Sequence, residues 1–163
     1  MAFSKDGSLI AGGFGDSTVK LWDLQKDNSK WAMAQKEYYG TDGRDPQYAE
    51  TSNEFSELIA HSQPVYSVAF SPDNECLLSS SGDGSIRLWS TRTKTNLVAY
   101  KGHNYPIWQV KFSPFGLYFA SASHDKTARL WSTTQIAPLR IFVGHSQDVN
   151  VSFEACSKLT QVR

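Results

Sequence analysis

Short apolar runs separated by turn residues dominate the chain. VYSVAF at 65–70, CLLSSS at 76–81, SIRLWS at 85–90 and TNLVAYK at 95–101 are rich in Val, Ile, Leu and aromatic residues. Between them stand SPDN, GDG and TRTK. Runs of this kind between turn chemistries predict β-strands joined by tight turns. Helical periodicity is absent from them. Apolar residues occupy both parities of most runs, whereas a strand with one wet face alternates. The pattern therefore predicts an all-β fold whose sheets are covered on both sides.

The pattern also recurs. His61 and His103 are 42 residues apart, as are His103 and His145, Phe70 and Phe112, and Trp89 and Trp131. Three segments end alike: LIAGGFGDSTVKLWD near Trp22, LLSSSGDGSIRLWS near Trp89 and FASASHDKTARLWS near Trp131. In each, an Asp (Asp16, Asp83, Asp125) precedes the Trp by six residues. A β-sandwich has turns at similar intervals but no reason to repeat the same residues at one fixed period.

In two of the repeats four polar landmarks share their offsets: His61, Ser79, Asp83 and Trp89, then His103, Ser121, Asp125 and Trp131. An Asp in a tight turn can accept from nearby backbone N–H groups. A buried Trp indole needs an acceptor, and a Ser hydroxyl can supply one. The first repeat departs from this set: Gly12 stands where the others have Ser79 and Ser121.

A period of 42 with an early GH dipeptide and a late Asp…Trp resembles the WD-repeat family. The resemblance implies a partial WD-repeat β-propeller, about three four-stranded blades plus the first strand of a fourth. It also implies that the His–Ser–Asp–Trp set is a hydrogen-bonded network tying the loop before each inner strand to the next two strands. The expected layout is one incomplete propeller over 1–163. Blade 1 covers about 1–25, a polar insertion about 26–58, blade 2 about 59–94, blade 3 about 95–137 and a partial fourth blade about 138–163.

A hydrolase reading of Ser, His and Asp requires one activated nucleophile in a cleft beside an oxyanion hole. Here the trio appears once per repeat, always with Trp, and without a GxSxG elbow. Duplication at the repeat period suits a structural staple, so no catalytic residue is expected. His61, His103 and His145 mark three repeat starts and belong to separate blades, so they do not share a metal ion; no cofactor is expected either. Lys plus Arg equals Asp plus Glu at 16 each, so no global field draws in nucleic acid or an anionic membrane. Cys76 and Cys156 form no CxxC pair and read as small hydrophobes in a reducing compartment. No secretory leader or membrane-spanning run is read.

Trp22 and Trp89 are 67 residues apart, 25 more than one period. The excess, between about Lys26 and Leu58, carries seven acids and four bases. It reads as a polar loop on the propeller rim, either dispensable or, through Trp31, Tyr38, Tyr39 and Tyr48, partner-binding. After GHSQDV the pattern fades: Val149 and Val151 are two apart where Val65 and Val68 are three apart. A fragment of a longer propeller is expected, or a ring completed by another chain.

KGHNYPIW, FSPFG and HDKTARLW are more specific than the general repeat. With LIAGGFGDSTVKLW and the insertion after the first blade, they resemble the WD-repeat subunits of the general transcription factor TFIID and SAGA-type coactivators. That resemblance implies a nuclear scaffold whose partners are TBP-associated factors and histone-fold subunits, with no direct nucleic-acid binding, membrane or small-molecule substrate. Propeller partners bind mostly at one rim of the channel, near the start of the inner strands. Here the candidates are Tyr66, Tyr105, Trp108 and His124, with Pro64, Pro106, Asp148 and Asn150 beside them. Tyr66 and Trp108 could equally be core, because inner strands are buried. The rival readings are a WD adaptor of another class, such as a ubiquitin-ligase substrate receptor, or a truncated product without function.

Overall fold

The computed structural model describes residues 1–25 and 55–149. Twelve strands run through them in chain order. They are β1 (Ala2–Phe3), β2 (Leu9–Gly13), β3 (Thr18–Asp23), β4 (Phe55–Ile59), β5 (Val65–Phe70) and β6 (Cys76–Ser81). Then follow β7 (Ser85–Ser90), β8 (Asn96–Lys101), β9 (Ile107–Phe112), β10 (Tyr118–Ser123), β11 (Ala128–Ser132) and β12 (Gln135–Phe142). They form three four-stranded antiparallel meanders, β1 to β4, β5 to β8 and β9 to β12. The inner strands β1, β5 and β9 lie side by side and the outer strands β8 and β12 are neighbours, so the sheets are successive blades of a partial propeller.

The doubled apolar parity follows from this stacking. Successive side chains of a strand point to opposite faces. On β6, Leu77 packs with Ala11, Val19 and Leu21 of the first blade, while Leu78 packs with Ile107, Val110 and Phe119 of the third. β7 behaves alike: Trp89 faces the first blade, and Ile86 and Leu88 face the third. Leu77, Leu78 and Ile86 are all fully buried. Burial of each aliphatic side chain of this size stabilises by roughly 1.5–3 kcal/mol. The interface between the second and third blades is the more aromatic of the two. Tyr100 meets Phe119 edge-on at 4.9 Å, and Phe119 stacks on Trp131 at 6.0 Å. Burial pushes the Tyr100 phenol up to about 12, and its hydroxyl donates to the Thr133 carbonyl at 3.1 Å.

The blade boundaries differ from those read along the sequence. β8 begins at Asn96, yet it pairs with β7 and closes the second blade. Likewise β12 runs through Gln135–Phe142, pairs with β11 and closes the third blade, across the boundary placed near 137. Phe55–Ile59 forms β4, the outer strand of the first blade, so the end of the stretch read as an inserted loop is strand. The physical reason is a stagger. Each sequence repeat opens with the outer strand of the preceding blade, and a periodic pattern has no intrinsic starting point. The remainder of the insertion, and the region beyond Val149 where a first strand of a fourth blade is expected and where Cys156 falls, lie outside the described residues. Cys76 is half-buried beside the second interface, and burial, with Asp73 and Glu75 nearby, raises its thiol above the ordinary range.

Among the described residues no helix is long and apolar enough to cross a membrane.

Candidate functional site

The turn between the second and third strands of each blade is built the same way. Asp16, Asp83 and Asp125 each accept from the backbone N–H and the hydroxyl two residues ahead: Thr18 at 3.1 and 2.6 Å, Ser85 at 2.9 and 2.6 Å, and Thr127 at 3.0 and 2.6 Å. The intervening residue has positive φ in all three: Ser17 at 71°, Gly84 at 75° and Lys126 at 65°. At Gly84 the need for glycine is twofold, because a Cβ there would lie 2.8 Å from the His103 carbonyl oxygen.

In blades two and three this turn anchors a relay. Trp89 Nε1–H donates to Ser79 Oγ at 2.8 Å, and Ser79 Oγ lies 2.7 Å from His61 Nε2. His61 Nδ1 lies 3.2 Å from Asp83 Oδ2. The third blade repeats it: Trp131 to Ser121 at 2.8 Å, Ser121 to His103 at 2.7 Å and His103 to Asp125 at 2.6 Å. One proton arrangement satisfies every group. The indole donates to the hydroxyl, the hydroxyl donates to Nε2, and Nδ1–H donates to the carboxylate. That arrangement uses a neutral imidazole, and burial holds both histidines below their ordinary range against the pull of the adjacent carboxylates. Burial also opposes ionisation of Asp83. Hydrogen bonds from the Ser85 hydroxyl, the Ser62 and Ser85 N–H groups, and His61 beside it outweigh that and hold it at about 2. Asp125 is lowered in the same way, with Thr127 and His103 overcoming burial.

The Ser–His–Asp order is that of a hydrolytic triad, but the placement is not. Ser79 and Ser121 are 0% exposed, and each Oγ is already occupied by an indole N–H. A carbonyl could reach either oxygen only by displacing a buried tryptophan. Among the described residues no three His, Cys, Asp or Glu side chains form a group able to hold a metal ion.

Several members of the network were missed in the sequence. Ser81 donates to the Gln63 carbonyl at 2.8 Å and Ser123 to the Pro106 carbonyl at 2.9 Å, fastening the preceding loop from a second point. Ser62 N–H donates to Asp83 at 3.0 Å, and Arg129 reaches Asp125 at 3.4 Å. Ser81 and Ser123 are themselves 42 apart, so the repeat carried that signal. Arg129 likewise stands 42 residues after Arg87, whereas Ser62 is followed one period later by Asn104 and carries no such signal.

The four rim candidates come together in one cluster spanning two blades. Tyr66 and Trp108 have ring centroids 4.9 Å apart, Trp108 and His124 6.1 Å, and Tyr105 and His124 5.6 Å. Tyr66, near the start of β5, is 47% exposed, Tyr105, in the loop before β9, is 54% exposed, and His124, just past the end of β10, is exposed too. Trp108 is half-buried, and among the described residues its Nε1–H has no acceptor. His124 Nδ1 lies 2.6 Å from Asp148 Oδ2. Pro64 and Pro106 are half-buried and accept the Gly82 and His124 N–H groups, both at 2.9 Å. Asn150 lies outside the described residues.

The sequence family described as WD domain, G-beta repeat, matches residues 1–23, 52–90 and 94–132. Among curated relatives, "Transcription initiation factor TFIID subunit 5" of Arabidopsis thaliana is 51% identical over 107 residues, 61% of this chain and 15% of that protein. "SAGA complex/transcription factor TFIID complex subunit Taf5" of Schizosaccharomyces pombe is 49% identical over 98 residues, 60% of this chain and 13% of that protein. The Drosophila melanogaster "Transcription initiation factor TFIID subunit 5" is 44% identical over 107 residues, 60% and 15% respectively. The chain thus spans about one-seventh of the length of the relatives it matches.

Proposed function

Because this chain belongs to the WD domain, G-beta repeat family, we propose that it is a protein-binding scaffold, part of a TFIID- or SAGA-type transcription complex in the nucleus. It holds other subunits of that complex, TBP-associated factors and histone-fold proteins among them, through its surface, without catalysing a reaction. The observation that carries this reading is identity near one-half, over about three-fifths of this chain, to subunits named for those two complexes.

The architecture supports the same role. The reactive-looking side chains are consumed in holding loops to sheets, which ties the loops to the blades at several points. Rigid surfaces bind with less ordering cost than mobile ones. The rim residues Tyr66, Tyr105, Trp108 and His124 are the proposed contact points, since aromatic side chains at exposed, well-supported positions are common interface anchors. In this reading the relay residues His61, Ser79, Asp83, Trp89, His103, Ser121, Asp125 and Trp131 act as structural supports for the rim.

The test is affinity purification of the tagged protein from nuclear extract, followed by mass spectrometry. Recovery of TBP-associated factors is the expected outcome. Recovery of a ubiquitin-ligase core instead, or of no transcription subunit, overturns the proposal.

A further inference from the structure

We propose that the Tyr66–Trp108–His124–Tyr105 cluster is a receptor for a cationic side chain of a partner protein, arginine in preference to lysine. The inference rests on the reading of this rim as a partner-facing surface and adds the chemistry of what it receives.

Ring arrangement carries the first part. Neighbouring rings in the cluster are tilted at 51°, 89° and 58° to one another, none of them stacked flat. The aromatic core beneath differs, since Phe119 and Trp131 lie within 7° of parallel and leave nothing between them. Rings set at steep angles around an exposed point offer π-faces and edges from several directions. The negative faces attract a cation within about 6 Å of a ring centroid, Trp most strongly.

Charge carries the second part. Asp148 is hydrogen-bonded to His124 and its side chain is 40% exposed, which adds a carboxylate to the edge of the cluster. A planar guanidinium stacks on aromatic faces and pairs with a carboxylate through its forked donors, which an ammonium cannot do as well.

The backbone carries the third. Gly82 occupies in blade two the position of His124 in blade three, and a Cβ there would lie 2.9 Å from Gln63 Oε1 and 3.4 Å from the Tyr66 ring. Glycine there leaves room for the Gln63 side chain against the Tyr66 ring, so the cluster is bounded by His124 in one blade and by Gln63 in the other. Trp108 also differs from Trp89 and Trp131 in that its indole N–H has no hydrogen-bond partner among the described residues.

The experiment is a titration of the full chain, followed by the indole N–H signals in NMR. The probes are acetyl-arginine amide and its neutral isostere acetyl-citrulline amide. The Trp108 signal is assigned by its loss in Trp108→Phe. The arginine probe is expected to shift that signal, with citrulline requiring roughly 2- to 30-fold higher concentration, the span of cation–π contributions. Tyr66→Ala is expected to weaken the arginine probe by a factor in that range. Asp148→Asn is expected to weaken arginine and leave citrulline unchanged. Unmoved Trp89 and Trp131 signals report that the blades remain folded in each variant. Equal response to the two probes overturns the proposal, as does no response of Trp108 to arginine in the folded chain. If the purified protein still carries transcription subunits while arginine leaves Trp108 untouched, the cation inference alone fails. If arginine binds and no transcription subunit is recovered, the scaffold reading fails and this one stands.

Discussion

The first blade and the two that follow solve one problem with different chemistry. All three share the Asp-capped turn and a Trp six residues beyond the Asp. In blades two and three the Trp is held by Ser, the Ser by His and the His by the turn Asp. In blade one Gly12 stands at the Ser position, and the Phe14 ring comes within 3.0 Å of where a Cβ would sit, so a serine would not fit without displacement. Phe14 and Phe55 flank Trp22 at 6.1 and 5.9 Å, and Lys20 Nζ lies 5.0 and 4.8 Å from the two phenyl centroids. Where blades two and three have the Ser–Trp bond, blade one carries an aromatic cluster with a cation over two of its rings. Trp22 is half-buried, whereas Trp89 and Trp131 are buried. The lesson is that the Asp-capped turn and its hairpin form without the Ser link. The relay serves a different end: it fastens the loop that leads into the inner strand, where the rim lies.

The largest break in this comparison is expected from Ser121→Ala. The change strips the acceptor from the Trp131 indole and the donor from His103 Nε2, both in a buried site. Each orphaned group costs about 1–3 kcal/mol, so a loss of roughly 2–6 kcal/mol is expected in urea unfolding. A loss under about 0.5 kcal/mol, the range of ordinary surface substitutions, would show the relay to be ornamental.

Acid is expected to act next, and through blades two and three. His61 and His103 are held below their ordinary range in the folded chain. As pH falls below about 6.5 the unfolded chain takes up protons that the folded chain refuses, so stability drops toward the depressed folded values. Asp83, held at about 2, adds stability above roughly pH 4 that is lost between there and about 2. Thermal melting is expected to fall from pH 7 to pH 5. The double variant His61→Gln/His103→Gln is expected to flatten that fall, and an equally steep slope in the variant would assign it to other groups.

Lys20→Ala sharpens the comparison from the other side and carries the smallest effect. The ion pair with Asp16, at 3.9 Å with an exposed carboxylate, adds little. The contacts with Phe14 and Phe55 are worth about 0.5–1 kcal/mol at a partly exposed site. A chemical-denaturation midpoint shift of that size is expected, independent of pH between 5 and 7. A loss as large as that of Ser121→Ala would mean that the aromatic cluster is a full equivalent of the relay.

Most of the relay was legible along the chain because each of its bonds joins positions at constant offsets. His to Asp, Ser to Asp and Asp to Trp recur at one period, and the side-chain chemistry leaves one consistent way to pair them. The all-β class was legible for a related reason, since apolar residues on both parities demand cover on both faces. Blade boundaries were not, because period is blind to phase: β4, β8 and β12 belong to the preceding sheet, and only their pairing with β3, β7 and β11 reveals it. Nor was the exposure of Tyr66 and the half-burial of Trp108. They begin adjacent inner strands, 42 residues apart in the chain, and become neighbours at 4.9 Å only when two blades stack. Local spacing fixes contacts within a repeat. Contacts between repeats depend on how one sheet leans on the next, which is a property of the packed structure alone.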